Sequence, residues 1–120
     1  MSNWTHIHVI IKIEQLYCLD SGDTQFKNFR EKIKELLSQA PLITGSEVNA
    51  DVIPIKFSKT VYCGNDDTDE NVNCVHVAII GDLRDRMIEQ TVDEYKTFVK
   101  YFNELDGFCV EELIFQIQDY

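Results

Sequence analysis

Between Thr5 and Ile13 the chain alternates. Ile7, Val9, Ile11 and Ile13 share one face of a period-two segment, while Trp4, His6, His8, Ile10 and Lys12 share the other. A strand with one wholly aliphatic face needs a second layer to cover it. The next periodic segment supplies one: from Thr24 to Ala40, Phe26, Phe29, Ile33, Leu36, Leu37 and Ala40 fall at helical spacing. Asp20-Ser21-Gly22-Asp23 offers caps before this helix, and Pro41 stops it.

The pattern then repeats. Val52 to Cys63 reads as a second strand with Ile53, Ile55, Phe57 and Val61 pointing one way. Pro54 lacks a ladder donor, so this strand belongs at an edge. Gly64 to Asn71 is a polar turn, and Val72 to Ile80 a third strand with Val75, Val77 and Ile79 inward. Thr91-Val92-Asp93-Glu94 has the spacing of a capping box. It predicts a helix with Val92, Tyr95, Phe98, Val99, Phe102 and Leu105 as its stripe, closed by Gly107. Phe108 to Gln118 forms the last strand, with Leu113, Phe115 and Ile117 inward.

The element order is therefore β-α-β-β-α-β. Two right-handed split crossovers give a ferredoxin-like α+β fold: a four-stranded antiparallel sheet, order 4-1-3-2, with both helices on one face. With two prolines, five glycines and no repeat, residues 1–120 read as a single domain. The loop from Leu42 to Asp51 has room for a further short element.

Charge excludes several functions. Eleven Lys and Arg against 21 Asp and Glu leave a net charge of −10, which opposes contact with a nucleic-acid backbone. The apolar run Ile7–Ile13 is too short for a membrane span, and no basic segment precedes it, so a cytoplasmic protein is expected. Cys18, Cys63, Cys74 and Cys109 fit neither a disulfide scaffold nor a zinc spacing. Cys63 and Cys74 are symmetric about the turn and are expected to face each other, reduced, across the hairpin.

Two surfaces stand out as candidate sites. The first is the uncovered sheet face, with Trp4, His6 and His8 from strand one, His76 from strand three and Ser58, Thr60 and Tyr62 from strand two. Glu112, Ile114, Gln116 and Gln118 are expected there from strand four. His6, His8 and His76 could approach a three-histidine geometry. No Asp or Cys completes the set, so neither metal nor other cofactor is assigned. The alternative use of this face is a regulatory domain for a small ligand or metal.

The second surface is acidic. Asp66, Asp67, Asp69 and Glu70 crowd the hairpin, and Asp82 and Asp85 sit in Gly81-Asp82-Leu83-Arg84-Asp85-Arg86, read as a loop after strand three. Rigidly presented carboxylates can pair with the Arg and Lys of a basic groove on another protein, as phosphates do. Spacing along strand three puts the two acidic sets about 25 to 30 Å apart. No nucleophile–base pair or phosphate loop is present in the sequence, so a non-enzymatic protein-binding domain is expected. A homodimer through the edge of strand two or four is a further expectation.

The opening Ser2-Asn3-Trp4-Thr5-His6 and the stretch Ile80-Gly81-Asp82-Leu83-Arg84-Asp85 resemble a loose group of small phage-type ferredoxin-like proteins. The resemblance implies a host-cytoplasmic inhibitor of a nucleic-acid-handling protein, of the anti-CRISPR kind. No catalytic residue is carried over.

Overall fold

β1 (Trp4–Cys18) and β3 (Asp69–Arg84) form the central antiparallel ladder of a four-stranded sheet. β2 (Asp51–Cys63) flanks β3 and β4 (Phe108–Asp119) flanks β1, giving the order β2-β3-β1-β4. All three pairings are antiparallel, and with α1 (Asp23–Gln39) and α2 (Ile88–Asn103) the chain has an α+β fold. The computed structural model describes residues 3–18, 23–63 and 69–119.

Alternation in β1 decides where the core lies. Ile7, Val9, Ile11 and Ile13 are buried, and Gly81, Ile79, Val77 and Val75 of β3 stand opposite them on the same face. Phe29, Ile33 and Leu36 of α1 and Tyr95, Phe98 and Phe102 of α2 close over that face to form one cluster. Phe29 bridges the sheet edges, its ring 6.2 Å from Phe57 of β2 and 6.5 Å from Phe108 of β4. No helix among the described residues packs on the opposite sheet face.

The strands are longer than the hydrophobic alternation predicts. β3 runs to Arg84, so Gly81, Asp82 and Leu83 are strand residues and not a loop. Leu83, fully buried opposite Thr5, continues the inward parity beyond Gly81. Gly81 is small because the chain of Ala50 crosses it: a Cβ there would lie 2.9 Å from the Ala50 Cα. The turn comes at Asp85, with φ of 58°. Sixteen residues in β3 span about 53 Å at about 3.3 Å each, which accounts for a molecule 61 Å long but only 26 and 22 Å across.

One-residue bulges revise the facing of both outer strands. In β2, Ile55 has no partner between Pro54 and Lys56. Phe57 therefore faces the helices opposite Val75, while Ile53, expected inward with it, lies on the open face opposite Ala78. In β4 the extra residue is Leu113, so Glu112 stands opposite Ile11 on the helix side instead of the open side. A bulge places two residues against one and so inverts parity from there on.

Two further expectations are corrected. Thr91 is not a cap: α2 starts at Ile88, Thr91 is fully buried within it, and the Met87 N–H donates to Gln90 Oε1 at 3.0 Å. The register also separates Cys63 from Cys74, which pair with Asp69 and Ser58 respectively. No short element forms between residues 41 and 50. The loop is instead pinned by buried Ile43 and by Ser46 N–H donating to the Arg84 carbonyl at 3.1 Å.

Truncating Leu83 tests whether β3 continues into the core. Leu83→Ala is expected to cost about 2 to 5 kcal/mol in urea unfolding, as for a buried leucine. A loss under about 0.5 kcal/mol, as at a surface position, would place residues 81–84 in a loop.

Candidate interaction face

On the uncovered face, residues line up in rows across all four strands. The central row is Ile53–Ala78–Ile10–Ile114, from β2, β3, β1 and β4 in turn. Directly opposed side chains on one face lie within contact distance, so these four make a continuous apolar band. Ile53 is 48% exposed and Ile114 55%, and Ile80, one row away, is 42% exposed. Ala78 and Cys74 on β3 are buried despite facing away from the helices, because their short side chains sit between larger neighbours.

Polar rows border the band. On one side lies Lys56–His76–Lys12–Glu111, and on the other Asp51–Ile80–His8–Gln116. Lys12 contacts Glu14 at 2.7 Å and Glu111 at 3.3 Å. The hydrogen bond to Glu14 is the main cause raising its pKa, against an opposing effect of burial, with Glu111 adding to the rise. His76 Nδ1 is buried without a hydrogen-bond partner among the described residues. Ser58 Oγ lies 2.9 Å from Cys74 Sγ in the next row.

The histidines expected to share a metal are not gathered. His6 stands opposite Asp82 and its Nδ1 contacts the Asp82 carboxylate. His8 stands opposite Ile80, and His76 lies four residues further along β3, about 13 Å away. Among the described residues no three His, Cys, Asp or Glu side chains are placed to hold a metal ion. Trp4 is half-buried at the end of the face, opposite Arg84. Tyr62 is placed by its backbone opposite Glu70, and its side chain lies outside the described ones.

The acidic candidates also divide. Asp66 and Asp67 lie outside the described residues, and Asp69 and Glu70 open β3 opposite Cys63 and Tyr62. Asp82, thirteen residues along β3 from Asp69, is about 43 Å away, not 25 to 30 Å. Asp85 neighbours Arg84, whose guanidinium also holds Glu47 at 2.9 Å. That end of the sheet is a mixture of charges.

Other polar contacts organise the helix side. Glu94 accepts from the Thr44 N–H at 2.8 Å and from the Thr44 hydroxyl at 2.7 Å, fastening the long loop to α2. The Tyr95 hydroxyl donates to Glu112 at 2.7 Å, a contact that exists because the bulge turns Glu112 inward. A shallow groove of about 280 Å³ runs along α1 beside Phe26, Lys27, Arg30 and Lys34. No described helix is long and apolar enough to cross a membrane.

The chain matches no protein-family model, no curated protein and no solved structure. Its site is therefore defined by its own geometry. The central row had a signal in the sequence, since Ile10, Ala78 and Ile114 all alternate outward; Ile53 did not, because the bulge reverses it.

Burial, and then the bond to Glu112 and its charge, raises the Tyr95 phenol above its ordinary pKa of 10.0. An unfolded tyrosine loses its proton above that value while the folded one keeps it. The folded state then binds more protons, so stability falls as pH rises past 10, by at most about 1.4 kcal/mol per pH unit. Thermal unfolding from about pH 9 to about pH 11.5 is expected to show a smaller loss in Tyr95→Phe than in the wild type. Equal losses would mean that neither burial nor Glu112 holds the phenol in its protonated form.

Proposed function

We propose that this chain is a non-enzymatic, acidic protein-binding domain of ferredoxin-like topology, acting through its uncovered sheet face. The observation that carries the reading is the row Ile53–Ala78–Ile10–Ile114, an apolar band crossing an exposed sheet from edge to edge. Large apolar side chains exposed at both ends of such a row, joined through Ile10 and recessed Ala78 and rimmed by polar rows, are the usual mark of a protein contact. The order β2-β3-β1-β4, with two crossover helices, supports the ferredoxin-like assignment.

The acidic hairpin supports a second contact. Asp69 and Glu70 open β3 at the opposite end from Arg84, and Asp66 and Asp67 precede them in the sequence. Carboxylates grouped there suit a basic groove on another protein, the mode that resemblance to phage-type inhibitors implies. Asp82 is left out of that set because His6 engages it.

Site-specific photo-crosslinking tests the principal reading. A photoreactive phenylalanine at Ile80 is expected to form protein adducts in expressing cells, whereas the same group at exposed Lys96 on α2 gives few. Neutralising Asp66, Asp67, Asp69 and Glu70 with Asn and Gln should leave the Ile80 adducts and remove any salt-sensitive contact of the hairpin. Equal labelling from Ile80 and Lys96 would contradict a binding role for the face.

A further inference from the structure

We infer that the open face is covered by a second copy of this chain, giving a face-to-face homodimer; the inference rests on reading that face as a protein contact. Charge is the first argument. Between the Trp4 and Glu14 rows the face carries Lys12, Lys56 and Arg84 against Glu14, Asp51, Asp82 and Glu111, three cations to four carboxylates. Its net charge is thus −1, whereas the whole chain carries −10. Two copies therefore meet across this face with little of the repulsion that a chain of −10 carries as a whole.

Area is the second argument. Four strands at about 4.8 Å spacing, paired over the eleven β1 residues Thr5–Gln15, make a face of about 19 by 36 Å, or about 700 Å². A stable dimer buries about 800 Å² per partner. The match needs the whole face, which is what stacking two sheets achieves.

Shape selects the arrangement. The sheet centre lies between β3 and β1. A two-fold axis there, parallel to the strands, sets Ile10 of each copy against the recessed Ala78 of the other. It also places Ile53 on Ile114, Lys56 on Glu111, and Lys12 over His76. The perpendicular axis would set Ile10 on Ile10 and Ala78 on Ala78, leaving a void beside a collision. Edge-to-edge pairing, the other route to a dimer, is opposed by Pro54 and the Ile55 bulge on β2 and the Leu113 bulge on β4.

Sedimentation velocity of the full chain decides the matter. The wild type is expected at twice its 14.0 kDa mass, with dimer dominant at about 100 µM for a dissociation constant near 1 µM. Ile53→Lys and Ile114→Glu each introduce a charge at an exposed position, so the monomer should fold, as circular dichroism would verify. Each alone should weaken association by about tenfold or more. The double variant Ile53→Lys/Ile114→Glu should recover affinity, because the two positions face each other twice across the axis. A wild type monomeric at that concentration, or a dimer indifferent to all three variants, overturns the proposal. If the wild type is monomeric yet Ile80 cross-links to other proteins, the face still binds and only the second copy is wrong. If it is monomeric and gives no adducts, both readings fall.

Discussion

The central ladder between β1 and β3 governs the rest of the molecule. Both strands are paired on each side, so neither can slip by a residue without exchanging its two faces. One parity, Ile7 to Ile13 with Val75 to Ile79, is wholly aliphatic and demands cover. The helices supply it because their stripes of Phe29, Ile33 and Leu36 and of Tyr95, Phe98 and Phe102 have nowhere else to go. The other parity becomes a face whose central row is apolar and whose borders are charged.

Bulges then tune what the ladder sets up. Each edge strand accepts one extra residue, Ile55 or Leu113, and each insertion breaks the regular edge that another strand would need. The same insertions relocate side chains. Ile53 is turned outward into line with Ala78, Ile10 and Ile114, and Glu112 is turned inward to receive the Tyr95 hydroxyl. Protection of the edges and assembly of the apolar row are consequences of one device.

The β1 parity and both helical stripes were legible in the sequence, because each repeats a period over several turns or pairs. The bulges were not: Ile53, Ile55 and Phe57 keep perfect alternation on paper, and only pairing with β3 shows that one of them is skipped. Gly81 reads as a strand terminator, yet it is required by the approach of Ala50, and Leu83 beyond it is core. Thr91 and Glu94 have the spacing of a cap, but the carboxylate is claimed by Thr44 from a loop fifty residues earlier. Of the candidate sites, the outward histidines were placed on the correct face, but their spacing along it depends on register. The acidic residues were visible as composition, and composition carries no distance.

The alignment of the four-residue row is the claim on which the account turns, and methyl nuclear Overhauser contacts in labelled protein measure it directly. The register predicts a chain of cross-strand contacts from Ile53 to Ala78, from Ala78 to Ile10 and from Ile10 to Ile114, with Leu113 outside the pairing. Contacts from Ile53 to the α1 side chains Phe29 or Ile33 would mean that β2 has no bulge, and the apolar row would be broken at its first residue.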